Sequence, residues 1–198
     1  MKLTSLTVGS IGTNCYILYN EDTKAAVVID PSDEATLVEA RIRALGLSVR
    51  AILLTHGHFD HGGDVARVVR ATGAPVYVHP ADRSLPSWLT HGLQADRDLT
   101  EGQELDFDGL RFLVVCTPGH TPGSVCFLCG DRMFAGDTLF AGSCGRTDLP
   151  GGSHADMLRS LRRLAELPGN YRVFPGHGEQ TDLEQERRGN PYMQMAME

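Results

Sequence analysis

Apolar residues fall at alternate positions, or in short unbroken runs, along most of the chain. Gly, Pro, Asn and Asp bound these runs, which is the pattern of short strands in a layered domain. Strands are expected at Leu3–Val8, Cys15–Tyr19 and Ala25–Ile29, the first two joined by the turn-rich Gly9-Ser10-Ile11-Gly12-Thr13. After Asp30-Pro31 the spacing changes to that of a helix. Ser32 or Asp33 can cap it, Asp33 and Glu34 favour its positive end, Leu37, Val38, Ile42 and Leu45 share a face, and Gly46 stops it. Val49–Leu54 is a nearly continuous apolar run, as in a strand covered on both faces. A helix from Asp64 to Thr72, with Val65, Val68 and Val69 inward, leads to a short strand at Val76–Val78. Residues 80–104 are polar and turn-prone, and Trp88 is their expected anchor. Strands return at Leu110–Cys116, Val125–Leu128 and Arg132–Ala135. Ser153-x-x-Asp156 then opens a helix in the manner of a capping box, with Met157, Leu158, Leu161 and Leu164 apolar and Pro168 at its end. A last strand at Tyr171–Phe174 and a helix at Leu183–Arg188 complete the pattern.

Strands and helices alternate through both halves with no repeat or linker, so one layered α/β domain over residues 1–198 is expected. A chain that is 41% hydrophobic can bury enough surface to offset its ordering entropy, which excludes disorder as the main state. No apolar run approaches the roughly 18 residues of a membrane span. Met1–Ser10 has no apolar stretch, so no signal peptide and a cytoplasmic location are expected. The net charge of -7 argues against nucleic acid as a partner. Five cysteines, an odd number thinly spread, suit free thiols in a reducing compartment. Cys126 and Cys129 form a C-x-x-C, but on an expected strand they point to opposite faces and make no redox or zinc pair.

One segment departs from ordinary loop composition: Thr55-His56-Gly57-His58-Phe59-Asp60-His61-Gly62-Gly63. Imidazole and carboxylate are the ligands of zinc, iron and manganese, and crowding them together is costly unless a cation is present. His56 and His58 share a face of an extended segment and can grip one metal; Asp60 and His61, after the chain turns, can grip a second. Three further expected strands end in a tight Gly or Pro turn followed by one metal-competent side chain: His120, Asp137 and His177. Loops at the carboxyl ends of strands are the usual place for sites on α/β frameworks.

These residues give the chain its resemblance to the metallo-β-lactamase-fold superfamily, whose signature is T-H-x-H-x-D-H followed by a distant His, Asp and His. Within it the chain looks most like the small glyoxalase II-like (hydroxyacylglutathione hydrolase-like) proteins. Gly136-Asp137-Thr138-Leu139-Phe140, Cys144-Gly145-Arg146-Thr147-Asp148, Leu149-Pro150-Gly151-Gly152 and Glu186-Arg187-Arg188-Gly189-Asn190-Pro191 carry that likeness. The resemblance implies an αβ/βα sandwich of two mixed β-sheets flanked by helices, with metals at one edge. Full-length glyoxalase II enzymes continue into a helical domain that helps hold glutathione. This chain runs only to Glu198 after His177, and its two lysines, Lys2 and Lys24, lie far in sequence from the motifs.

By the same resemblance His56, His58 and His120 would hold one metal and Asp60, His61 and His177 a second, with Asp137 bridging. The expected cofactor is thus a pair of divalent transition-metal ions, zinc first, with iron or manganese as alternatives. Such a pair, roughly 3.5–4 Å apart, can share a water as a bridging hydroxide near neutral pH, and Asp60 could also orient it. The implied function is hydrolysis of a small-molecule thioester of the hydroxyacylglutathione type, with no membrane partner and a homodimer left open. Two readings compete. One is a persulfide dioxygenase holding a single iron through His56, His120 and Asp137; the other is a metal-binding protein without catalysis. Arg146 is a candidate for meeting an anionic substrate or for pairing with Asp148 or Asp137. Tyr16 is a candidate for lining the cleft or for the core.

Overall fold

The computed structural model describes residues 1–198. Strands β1 (Lys2–Val8), β2 (Thr13–Tyr19) and β3 (Ala25–Ile29) form an antiparallel meander. Helix α1 (Thr36–Leu45) crosses to β4 (Ser48–Leu53), which pairs parallel to β3. A single turn, α2 (Phe59–Gly62), and helix α3 (Val65–Thr72) lead to β5 (Val76–Val78). A 3₁₀ turn at Pro80–Ser84, helix α4 (Ser87–Thr90) and β6 (Arg97–Asp98) complete a six-stranded sheet in the order β1-β2-β3-β4-β5-β6. The second half begins with β7 (Glu104–Phe107), β8 (Leu110–Cys116), β9 (Val125–Cys129) and β10 (Arg132–Gly136). The hairpin β11 (Leu139–Phe140) and β12 (Ser143–Cys144) precedes α5 (His154–Ala165). Then come β13 (Arg172–Pro175), β14 (Thr181–Asp182), α6 (Leu183–Gly189) and α7 (Pro191–Met197). The second sheet runs β14-β13-β10-β9-β8-β7, with only the β10–β13 pair parallel.

Side-chain alternation fixes the layers. In β2, β3 and β4 the residues Tyr16, Leu18, Val27, Ile29, Ala51 and Leu53 face the other sheet. They meet Phe112, Val114, Phe127, Phe134 and Phe174 there. The intervening residues Cys15, Ile17, Val28, Ile52 and Leu54 pack instead under Val38 and Ile42 of α1 and Val65 and Val68 of α3. Cys126, Leu128, Met133 and Ala135 face outward against Met157, Leu161 and Leu164 of α5 and Met193 of α7. Strands with both faces buried need apolar residues at every position, which is why these runs are nearly unbroken. Cys126 and Cys129 fall in different layers, as the strand reading requires. The architecture is the αβ/βα sandwich of two mixed sheets expected from the sequence, and no helix is long and apolar enough to cross a membrane.

The differences are local. Neither Ser32 nor Asp33 caps α1. That helix starts at Thr36 after Ala35 without a side-chain cap, because Asp30 and Ser32, both at positive φ, first turn the chain sharply toward the site. Leu37 is 57% exposed, so the buried face of α1 rests on Val38 and Ile42. Trp88 does not anchor its segment. It is 59% exposed, and Leu85, Leu89 and Leu99 are the buried apolar side chains there. The terminal helix ends at Gly189 and a second follows, since Asn190 accepts from the amides of Tyr192 and Met193 and Pro191 suits a first helical position.

Candidate metal centre

The chain leaves β4 at Leu54 and passes directly into the histidine loop. Its first residue, Thr55, is held by Asp30 at the end of β3: the Thr55 amide and hydroxyl donate to the two carboxylate oxygens at 2.8 and 2.7 Å. The one-turn helix α2 then places Asp60 and His61 back over the strand ends, with the amide of His61 donating to the His58 carbonyl. His120 enters from the loop after β8 and Asp137 from the turn after β10. Gly136 has φ +49, and any Cβ there would collide with the Thr55 hydroxyl, so the Asp137 turn can close on the histidine loop only with glycine. His177 follows β13 and is tied to β2: Asn14 donates its side-chain amide to Pro175 O at 3.1 Å and Gly178 O at 2.9 Å.

All seven expected residues meet at one end of the seam between the sheets. His56, His58 and His120 have donor atoms close enough to share one ion, as do Asp60, His61 and His177, and as do His56, His61 and Asp137. The rings of His56, His58 and His120 are nearly perpendicular to one another, with centroids 4.7–4.8 Å apart, like three faces around a corner. Asp137 reaches toward both groups: Oδ1 lies 3.3 Å from His61 Nε2, and Oδ2 lies 3.5 Å from His120 Nε2 and 3.7 Å from His177 Nε2. Asp60 Oδ2 is 3.1 Å from His177 Nε2.

The donor set fits a divalent transition metal. His56 Nε2, His58 Nε2, His61 Nε2 and Asp137 Oδ1 are buried without an aligned hydrogen-bond partner, which is costly unless something else binds them. Burial, and then the neighbouring histidines, hold His56 well below its ordinary pKa; burial and His120 push His58 down to about 4. Both rings are therefore neutral near pH 7, the form that ligates metal. His61 goes the other way. Burial opposes its charge, but Asp30 and Asp137 outweigh that and raise it well above the ordinary value. His61 Nδ1 lies 3.0 Å from Asp30 Oδ2, out of line for a good hydrogen bond but close enough for strong attraction. Burial also opposes ionisation of Asp60 and Asp137, and the surrounding histidines reverse it, so both stay carboxylates. Mixed nitrogen and oxygen donors of this kind suit zinc, iron or manganese.

The remaining candidates find other roles. Arg146 grips Asp148 with two bonds of 2.7 Å, so its charge is already paired, while its main-chain carbonyl lies 2.7 Å from His120 Nδ1 and orients that ring. Tyr16 is buried and lines no part of the cleft. Its hydroxyl donates to Pro175 O at 2.7 Å, bracing the turn before His177. Asp30 and Asp82 carry no motif signature, and neither stands out in the sequence. A carboxylate ending a buried apolar strand, as in Ile29-Asp30-Pro31, is the one sign that could have singled out Asp30.

Above the cluster opens a cavity of about 670 Å³. Ile11, Phe59, Trp88, Leu89, Phe140 and Leu149 give it an apolar wall, and Arg146 is its only basic side chain apart from the clustered histidines.

The family model of the metallo-beta-lactamase superfamily matches residues 8–177. The hydroxyacylglutathione hydrolase GloC of Haemophilus influenzae is 34% identical over 209 residues, covering 98% of this chain and 98% of that protein. The B3 metallo-beta-lactamase BLEG-1 superposes with a TM-score of 0.89 at 38% identity, covering 97% of this chain and 99% of that one. TTHA1623, in a di-iron-bound form, gives 0.84 at 42% identity, covering 96% and 99%. ETHE1 from Myxococcus xanthus gives 0.86 at 30% identity, covering 100% and 90%. Family model, fold and donor cluster coincide along most of the sequence, and the chain belongs to the metallo-β-lactamase superfamily.

Proposed function

We propose that this protein is a metal-dependent hydrolase of acyl thioesters, of the hydroxyacylglutathione hydrolase kind. The observation that carries the reading is the pair of donor trios, His56/His58/His120 and Asp60/His61/His177, with Asp137 reaching toward both at the floor of an open cavity. Two divalent ions held there would supply an activated water and a Lewis acid for the carbonyl oxygen. The protein's own part is positional. The Thr55 hydroxyl beside His56 Nδ1, Asp30 beside His61 Nδ1 and the Arg146 carbonyl beside His120 Nδ1 fix the rings, and Asp60 and Asp137 stay ionised beside them. The apolar wall holds the substrate and displaces bulk water. Cys144 lines the same cavity, but burial pushes its thiol up to about 11, so it stays protonated near neutrality and is a poor nucleophile. The likeness to GloC supports the thioester class.

The wall also bears on the substrate. A tripeptide with two carboxylates would find one guanidinium there, and Asp148 already pairs with it. Recognition should rest on the acyl thioester and an apolar neighbour more than on the glutathione charges.

The deciding measurement is hydrolysis of S-D-lactoylglutathione by metal-loaded protein, beside the same protein carrying His56→Ala. Turnover that depends on His56 supports the reading; no turnover of any thioester overturns it. The Cys144-Gly145-Arg146-Thr147-Asp148 stretch, which resembles that of persulfide dioxygenases, favours a second reading, iron-dependent persulfide oxidation. One iron per chain with oxygen uptake on glutathione persulfide would select it.

A further inference from the structure

We propose that Asp82 is a positioning residue for the three-histidine half of the centre, its carboxylate fastening the loop that carries His56 and His58 to the loop that carries His120. The inference rests on the metal-binding part of the function proposed above and is independent of the substrate.

Asp82 lies in the 3₁₀ turn after β5, outside every motif, and is 1% exposed. Its Oδ2 accepts from the amide of Gly57 at 2.7 Å and from the hydroxyl of Thr121 at 2.9 Å. Its Oδ1 accepts from the amide of Gly123 at 2.7 Å. Gly57 stands between His56 and His58; Thr121 follows His120 directly. One carboxylate thus joins loops from two different sheets at the level of the ligands.

The chemistry calls for an acceptor with no hydrogen of its own. All three partners are neutral donors, two of them main-chain amides that could not turn elsewhere. An asparagine could serve one side only, because its NH₂ would face an N–H on the other. Both loops also press against the side chain: a Cβ at Gly57 would come within 2.9 Å of Asp82 Cβ, and one at Gly123 within 2.5 Å of Asp82 Oδ1. A buried carboxylate is costly, and the fold retains this one at a junction where it stabilises two ligand loops at once.

The other trio is held by different residues. Asp60 receives the Thr13 hydroxyl at 3.4 Å, His61 faces Asp30, and the His177 turn hangs on Asn14 and Tyr16. Loss of the Asp82 carboxylate should therefore weaken one metal position and spare the other. A merely structural residue would weaken both.

The test is a zinc titration of metal-free protein in a chelator buffer, following the imidazole nitrogen shifts of each histidine. In Asp82→Asn, half-saturation at His56, His58 and His120 should need about 10–100-fold more free zinc, with less than about a threefold change at His61 and His177. Leu164→Ala, a core change under α5, supplies the comparison for a general loss of stability. If Asp82→Asn does not fold, Gly123→Ala pushes the His120 loop off the same carboxylate and should give the same selective loss. Equal weakening at all five histidines, or no weakening, overturns the proposal. A selective zinc loss in a protein that cleaves no thioester would reject the proposed substrate class and leave the role of Asp82 standing.

Discussion

His58 Nδ1 stands 2.9 Å from His120 Nε2, with the two rings at 85°, although the residues follow strands of different sheets, β4 and β8. Only one hydrogen fits between two imidazole nitrogens, so a cation shared by both rings would tie the sheets together at this edge.

Metal removal should consequently lower stability. Free metal at a hundredfold excess over its Kd stabilises the native state by about 2.7 kcal/mol for one site. For a chain of this size that corresponds to roughly 5–11 °C in Tm. Scanning calorimetry with and without a strong chelator measures it, and an unchanged Tm would count against a metal shared between the sheets.

Asp137→Ala should damage activity far more than Arg146→Ala. Asp137 reaches His61, His120 and His177, whereas the Arg146 side chain is exposed and engaged with Asp148. The first change should cost on the order of 10²–10³ in kcat. The second should cost less than about tenfold, because the main-chain carbonyl that orients His120 survives. Equal losses at full metal content would make the Arg146 guanidinium a substrate-binding group.

Glu186 should prove a structural support for the cavity wall. It is buried, accepts from the Gly142 amide at 2.9 Å, the Thr181 hydroxyl at 2.6 Å and Asn190 Nδ2 at 2.8 Å, and so clamps the hairpin of Phe140 and Ser143. Glu186→Ala takes the partner from the Gly142 amide and the Thr181 hydroxyl, while Asn190 Nδ2 keeps the Ser143 carbonyl at 2.9 Å, and it should destabilise the protein by about 2–4 kcal/mol in urea unfolding, with a raised KM. A change within about 0.5 kcal/mol would show that water replaces the carboxylate freely.

Cys144 should react as a thiol. Burial raises it from the ordinary 9 to about 11. Its alkylation by iodoacetamide in a Cys116→Ser background should rise about tenfold per pH unit and level off only near 11. The sign for stability follows: the folded form favours the proton, so this contribution is full below pH 9 and fades as pH rises toward 11. Fast alkylation at pH 7 in metal-free protein would identify a thiolate and make Cys144 a candidate nucleophile.

Substrate breadth follows from the apolar wall. The kcat/KM for S-D-lactoylglutathione should exceed that for a truncated thioester of the same acyl group by less than about a thousandfold, or about 4 kcal/mol. Trp88→Ala should weaken both substrates alike. A larger preference would reveal a dedicated tripeptide site.

The features of this protein that depend on neighbours along the chain are legible before it folds. Strand runs such as Ala25–Ile29 and, past the exposed Arg50, Ala51–Leu54 were legible because burial on both faces demands apolar residues at every position. The Ser153 cap was legible because its bond to the Asp156 amide is local. The ligand candidates were legible because His56, His58, Asp60 and His61 crowd into six residues, and because His120, Asp137 and His177 each follow a strand and a tight turn. Other features depend on residues far apart in the chain. Nothing near Asp82 in sequence points to Gly57 and Gly123, and nothing near Asp30 points to Thr55 and His61; a lone aspartate reads as a turn residue until the chain brings its donors to it. Leu37 and Trp88 have the chemistry of core residues and lie exposed, because which apolar side chains are covered depends on what packs above them. Tyr16, in an apolar strand, suits the core more than a cleft, and only the position of Pro175 directs its hydroxyl to the brace behind His177. Local pattern records what each segment needs, while the hydrogen bonds that fix the metal centre join residues dozens of positions apart, and only folding brings those together.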